Sequence, residues 1–276
     1  MLGGAVLAAR GALRSGAGRV ILAVPAPLAR EALVLLPEAT VVALPCDARG
    51  VLQPSAAAEL LDEALGEARV AVVGPALGRS DEAGQVVMRL LSLEDALLVV
   101  DADAIRAFAS HREATLDLRA AAVFTPHPGE AAALADALAL DIDCTERATR
   151  PAAAHQLAQR LGAVVVLKGA GTVTSGGLEA WRCERGGAAL ATGGSGDVLA
   201  GVVGGLLAQF APRTDPIARA LGRAPAGPSV AALAALAVEA HARAGDLWTR
   251  DHGDAGALAH ELADRIPDAL AEMRRA

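Results

Sequence analysis

The residues best placed to do chemistry lie together in Leu190 to Gly201, which reads LATGGSGDVLAG. Glycines let a backbone turn tightly and come close to a ligand with no Cβ in the way. The apolar run Val198 to Phe210 that follows is long enough for a buried helix. A helix starting here aims its unpaired N–H groups and positive dipole end at whatever sits over the turn. Asp197 at its rim is a carboxylate able to accept a proton. The pattern therefore reads as an anion site, the N–H groups of Gly194, Ser195 and Gly196, beside a general base, as phosphoryl transfer or elimination requires. A plainer reading stands next to it, a Gly-rich turn in which Asp197 only caps the helix.

Four further sites carry polar residues where a turn alone would not need them. Lys168-Gly169-Ala170-Gly171-Thr172 can cradle the phosphates and ribose of a nucleotide, or be an isolated tight turn. Glu130 can hold a Mg²⁺-bound water near phosphates, since hard cations prefer carboxylates and retain water. Its alternative role is to favour the next helix's N-terminus by its charge. His127, stiffened between Pro126 and Pro128, suits a ligand contact or a structural turn. Asp101 reads either as an acid supporting the site from behind or as a solvated strand end. His241, His252 and His260 fall in the C-terminal helical stretch and read as surface or capping residues.

The elements that must position these groups alternate along the chain. Helical pattern is expected over Gly4 to Leu13, Pro25 to Leu36, Ser55 to Gly66 with Ser55 as cap, after a Ser80 cap, and over Thr145 to Gly162. Strands are expected over Arg19 to Val24, Ala39 to Leu44, Val70 to Val73, Leu97 to Val100, Ala121 to Phe124 and Val164 to Leu167. Continuous apolar strands separated by helices mean a parallel sheet covered on both faces, a three-layer α/β/α fold. Thr172 to Thr174 and Leu178 to Trp181 flank Ser175-Gly176-Gly177, the signature of an antiparallel hairpin at a sheet edge. Two long helices close the chain, over Ser229 to Ala244 and Ala255 to Leu270, after a mobile loop at Gly222 to Pro228. In open α/β sheets ligands bind beyond the carboxyl ends of the strands, and there the polar residues fall.

Composition excludes several classes. The 276 residues, 53% apolar, make a globular protein with one sizeable core, and no linker divides it into domains. A net charge of −7 with no dense Lys/Arg run argues against a nucleic-acid surface. Three scattered cysteines, Cys46, Cys144 and Cys183, form no disulfide framework or CxxC metal site and fit a reducing, cytoplasmic compartment. No apolar run reaches membrane-spanning length without a charge, Gly or Pro, and Arg10 and Arg14 interrupt what would be a signal peptide. There is no P-loop GxxxxGKS/T, no Rossmann GxGxxG unit, and Asp264 stands where HExxH needs its second histidine.

Taken together, VVGPALG (Val72 to Gly78), VVDADAI (Val99 to Ile105), TPHPGE (Thr125 to Glu130), VVLKGAGTVT (Val165 to Thr174) and LATGGSGDVLAG resemble the ADP/ATP-dependent NAD(P)H-hydrate dehydratases of the ribokinase-like superfamily. VEAHARAGDL (Val238 to Leu247) and LAHELADRIP (Leu258 to Pro267) extend the resemblance over essentially the whole chain. It implies a substrate that is the S epimer of hydrated NADH or NADPH, with ADP or ATP as phosphoryl donor and Mg²⁺ as cofactor. It also implies Asp197 as catalytic base, Gly194 to Gly196 as anion hole, and Lys168 to Thr172 with Gly196 around the donor's AMP portion. Ala5, Ala76, His127 and Asp197 would contact the hydrated dinucleotide, Glu130 would hold the metal through water, and the protein would be a homotetramer.

Three departures from the family pattern are visible. The chain starts at the segment matching Met1 to Ala5, so a family strand and part of the substrate wall are expected to be missing. Ala76 stands where the family usually has glycine, and Gly187 where many members carry asparagine. The family's epimerase partner domain has no counterpart here. Two other functions stay open on these residues: a ribokinase-like kinase for a small alcohol such as a vitamin precursor, and a nucleotide-binding remnant without turnover.

Overall fold

The structure, a computed structural model, describes residues 2–111, 118–212 and 227–275. Helix α1 (Gly3–Arg14) leads into strand β1 (Ile21–Pro25), α2 (Ala29–Leu35), β2 (Thr40–Leu44) and α3 (Pro54–Glu67). Then come β3 (Ala71–Val73), α4 (Asp81–Leu91), β4 (Leu97–Val100), α5 (Ala102–Ser110), β5 (Ala121–Phe124) and α6 (Pro128–Ala137). The remaining elements are α7 (Arg150–Leu161), β6 (Val164–Leu167), β7 (Val173–Ser175), β8 (Ala180–Arg182), α8 (Ser195–Phe210), α9 (Val230–His252) and α10 (Ala259–Arg275).

Strands β3 to β8 form one sheet in that order, parallel from β3 to β6 and antiparallel at the β6–β7–β8 edge. Its residues sort by the two-residue period of a strand. Leu98, Val100, Ala122, Phe124, Val165 and Leu167 join the cluster formed with α3 to α7, while Val99, Val123, Val164 and Val166 join that of α8 to α10. This is the three-layer α/β/α arrangement expected, with its edge hairpin. Strands β1 and β2 differ from that expectation, because among the described residues they pair, in parallel, only with each other. A separate apolar cluster (Ala9, Leu22, Val24, Ala32, Leu36, Ala39) holds this small layer onto α1.

Helix α1 is pressed against α8, backbone to backbone. A Cβ on Gly201 would fall 1.9 Å from the Ala8 carbonyl oxygen, and one on Gly11 2.5 Å from that of Val198. Only glycine permits such an approach, which sets the start of α1 beside the start of α8.

Several boundaries differ from their sequence reading. Pro25 ends β1 and Ala26–Leu28 form a 3₁₀ turn, so the helix expected from Pro25 begins at Ala29. The hairpin strands lie at Val173–Ser175 and Ala180–Arg182 instead of starting at Thr172 and Leu178. Helix α3 begins at Pro54 with Gln53 as N-cap and no side-chain cap, so Ser55 lies inside it; proline's fixed φ suits a first turn. Helix α7 starts at Arg150 rather than Thr145, because Asp143 Oδ1 takes the Thr145 N–H (2.8 Å) and hydroxyl (2.6 Å) and holds a turn instead. Helix α9 does start after Ser229, whose hydroxyl accepts the Ala232 N–H at 3.1 Å, but it runs on to His252, and α10 spans Ala259–Arg275. Ser80 caps α4 as expected, accepting from Ala83 N at 3.2 Å. Of the loop expected at 222–228, residues 222–226 lie outside the described residues.

Candidate active site

The strand ends and the start of α8 meet at one rim. Gly194 is the N-cap of α8 in a left-handed conformation (φ 88°), and Asp197 stands in the first turn. The Ser195 N–H donates to the Thr192 carbonyl at 3.2 Å and the Val198 N–H to that of Gly194 at 3.1 Å. Among the described residues nothing accepts from the Gly194, Gly196 or Asp197 N–H, so these are the donors left open at the mouth. The Ser195 side chain is buried and turned inward, with Oγ 3.2 Å from His241 Nε2.

Beneath this turn lies a buried ion pair that joins three strand ends. Asp101, 1% exposed just after β4, accepts on Oδ1 from Lys168 Nζ at the end of β6 (2.7 Å) and from Thr125 Oγ1 at the end of β5 (2.7 Å). Asp101 is thus no solvated strand end; it aims the lysine. A Cβ on Gly196 would sit 3.3 Å from Lys168 Nζ, so the ammonium lies directly under the first turn of α8. Burial pushes the Asp197 carboxyl up to about 6; the charge of Asp101 adds to this, Lys168 opposes it, and Asp103 and Glu130 add smaller shares.

The other predicted residues fall around this centre in distinct ways. His127 caps α6: its Nδ1 accepts from Gly129 N (3.0 Å) and Glu130 N (3.3 Å), and Nε2 lies 3.2 Å from Glu130 Oε1. Glu130 Oε2 in turn accepts the His127 N–H at 2.9 Å, completing a capping box. Helix capping and a place near the site are therefore combined in one pair, and the charge of Glu130 reaches Asp197. The turn Lys168 to Thr172 is closed by Thr172 Oγ1, which donates to Gly169 O at 3.0 Å and accepts from Gly169 N at 3.2 Å. Arg150, 6% exposed, supports that turn from below through its bond to the Ala170 carbonyl, and Arg147 and Arg182 flank Gly171. Glu184 pairs with both Arg147 (2.7 Å) and Arg182 (2.8 Å), so this basic collar is partly neutralised, and the positive charge that remains suits a phosphorylated ligand.

Ala5 packs into the small β1–β2 cluster, and its neighbour Gly4 is the α1 residue that faces the site. A Cβ on Gly4 would lie 3.0 Å from Asp197 Oδ2 and 3.2 Å from Ala76 Cβ. Sequence reasoning passed over Gly4 and Arg150, and misplaced His241. His252 and His260 are exposed as read, His252 against the Trp248 ring at 4.8 Å, but His241 is 7% exposed and bonded to Ser195, not a surface group. The apolar residues on either side of it in α9 carried the signal of a buried face.

Ala76 and Ala102 both have positive φ, 60° and 48°. A left-handed L-residue costs roughly 1–2 kcal/mol, of which glycine's extra unfolded-state freedom returns part. Ala76→Gly is therefore expected to raise stability by about 0.5–1 kcal/mol. The urea midpoint checks this, and an unchanged or lower midpoint would mean the turn carries no strain.

The model of the NAD(P)H-hydrate dehydratase family matches residues 1–268. An ADP-dependent (S)-NAD(P)H-hydrate dehydratase of Xanthomonas campestris is 31% identical over 274 residues, 99% of this chain and 85% of that protein. Among solved structures, the ADP/ATP-dependent NAD(P)H-hydrate dehydratase of Bacillus subtilis co-crystallised with ATP/Mg²⁺ superposes with a TM-score of 0.72 at 28% identity, covering 99% of this chain and 85% of that one. A ribokinase-like superfamily protein of Enterococcus faecalis gives 0.74 at 25% identity, over 98% and 82%. Bifunctional NAD(P)H-hydrate repair enzymes also match and are longer; the chain spans 35% of the one from Vibrio cholerae and 46% of that from Salinibacter ruber. By the family model and by the Xanthomonas campestris relative, the chain belongs to the NAD(P)H-hydrate dehydratase family.

Proposed function

We propose that this protein dehydrates the S epimer of hydrated NADH or NADPH at the expense of ADP or ATP, regenerating NAD(P)H with release of AMP or ADP and phosphate. The observation that carries the reading is the Asp197 carboxyl at the mouth of α8, beside open N–H groups and above the Asp101–Lys168 pair. The hydroxyl on the nicotinamide ring attacks the donor's terminal phosphorus while Asp197 takes its proton. The bond to the donor's bridging oxygen breaks, and AMP or ADP leaves. The Gly194, Gly196 and Asp197 N–H groups and Lys168 hold the charge on the transferred group. The C–O bond of the resulting ester then breaks, phosphate leaves with the electron pair, and the neighbouring ring carbon gives up a proton to the departing phosphate, which restores the dihydropyridine.

Lys168 to Thr172 and Gly196 hold the donor's AMP portion; Ala76, His127 and the α1 start around Gly4 and Ala5 line the dinucleotide side. Glu130 fits a water-mediated Mg²⁺ contact, being a buried carboxylate whose oxygens keep spare lone pairs beyond the two His127 bonds. When bound, the ion would neutralise charge on the donor's phosphates. Asp197 must be ionised to act, so turnover rises with pH through about 6 and falls about tenfold per unit below it. An acid limb at the ordinary carboxylate value would detach Asp197 from catalysis.

The test is recovery of the near-ultraviolet absorbance of NADH from its hydrate on addition of ADP or ATP with Mg²⁺. Accumulation of a stable phosphate ester would make the protein a kinase instead. A homotetramer in the cytoplasm is part of the same proposal and is checked by light scattering and cell fractionation; among the described residues no helix is long and apolar enough to cross a membrane.

A further inference from the structure

Helix α9 takes no part in the chemistry above, yet it touches the Gly-rich turn on both sides. His241 and Gly245 are four residues apart and so share one face of α9. Gly245 makes a notch for Leu190, the residue that leads into the turn; a Cβ there would lie 2.7 Å from Leu190 Cδ2. His241 meets Ser195, the first residue of α8, Oγ to Nε2 at 3.2 Å, with both side chains buried. Between these two holds lie only Ala191 to Gly194, and the left-handed Gly194 is at the bend. Gly193 and Gly194 carry no side chain, so within the turn its path rests on the backbone bond from Ser195 N–H to the Thr192 carbonyl (3.2 Å), and side-chain anchoring comes from outside it.

We infer that His241 is a positioning residue for the anion site: through the Ser195 hydroxyl it locks the first turn of α8 onto α9 and so aims the open Gly196 and Asp197 N–H groups. This rests on the proposed phosphoryl transfer for its catalytic consequence, though the anchoring itself does not. An imidazole suits the post because it holds a hydrogen bond without charge. Burial pushes it down to about 4, a hydrogen bond with the Ser195 backbone opposes this, and the charge of Lys168 adds to it. It therefore stays neutral throughout the range in which Asp197 is ionised.

The experiment uses His241→Ala, His241→Gln, Ser195→Ala and the Ala/Ala double variant of the full chain, each checked by thermal midpoint. His241→Ala and Ser195→Ala are each expected to lower kcat by about 10- to 100-fold, with KM for the hydrated dinucleotide little changed. The double variant should lose no more than the worse single, since both cut one linkage. His241→Gln should recover part of kcat, because its amide can still reach the hydroxyl. The second readout is the ratio of ADP to AMP affinity by calorimetry, expected to fall about tenfold in both single variants because AMP meets only the Gly196 N–H, whereas the terminal phosphoryl group of ADP meets that of Asp197 as well. A merely structural histidine would weaken ADP and AMP alike. Multiplying losses in the double variant, or an unchanged ADP/AMP ratio, would overturn the inference. Wild-type protein that turns over no hydrated NADH, but whose ADP/AMP ratio responds as described, would remove the dehydratase reading and leave this one standing.

Discussion

Asp197→Asn is expected to bind ADP as the wild type does and to lose turnover by about two to four orders of magnitude, the usual consequence of removing a general base. The amide keeps the shape of the carboxyl and the open N–H groups around it, so ground-state binding survives while proton acceptance does not. The same variant is expected to melt at a higher temperature than the wild type at neutral pH. Burial and the charge of Asp101 raise the folded carboxyl to about 6, against 3.8 as its ordinary value. The folded state therefore binds the proton more tightly than the unfolded chain. Its advantage is present in full below 3.8 and is lost as the pH climbs to about 6. Above that pH the wild type carries an ionised carboxylate that its surroundings disfavour, and asparagine does not. Activity and stability thus move in opposite directions. Thermal midpoints of both proteins across this range, with kcat at each pH, test the pair of effects; a variant that is slow and also less stable would make Asp197 a structural residue.

Lys168→Met should damage both stability and rate. Lys168 and Asp101 form a buried pair, their side chains 17% and 2% exposed. Removing one partner strands the other's charge, at a cost of about 3–5 kcal/mol. On the proposed mechanism turnover should fall by roughly two to three orders of magnitude, since a charge that would face the transferred phosphoryl group is lost. Adding Asp101→Asn to Lys168→Met removes the stranded charge and should recover most of the stability but none of the rate. That separation, read by urea unfolding and by kcat, distinguishes a lysine that acts on the ligand from one that only satisfies Asp101. Asp101→Asn alone should move the acid limb of the pH–rate profile to lower pH, because Asp101 is, after burial, the largest influence raising Asp197. A limb that stayed in place would mean the two carboxyls do not sense each other.

Much of the scaffold could be read before any fold was known. Ala121–Phe124 and Val164–Leu167 fall where the apolar runs end, since a strand buried on both faces needs four such residues and a polar terminus. The edge hairpin followed from Ser175-Gly176-Gly177, and the Ser80 and Ser229 caps from a hydroxyl preceding a periodic run. The division of the strands into two sheets could not be read, because a strand's sequence states its burial and not its neighbour. Asp143 likewise shortened α7 through a side-chain bond that competes locally with the helix.

By itself, then, the sequence determined the alternation of elements, the family, and the turn that bears Asp197, because these rest on short-range patterns of apolar residues, glycines and caps. The tertiary structure alone decided which groups act on that carboxyl. Asp101 and Lys168 are 67 residues apart, and Ser195 and His241 46. Whether such residues are solvated or buried, paired or strained, depends on how α1, α9 and the sheet close around the start of α8. Desolvation and hydrogen bonding at that depth belong to no single segment, so only the assembled layers can assign them.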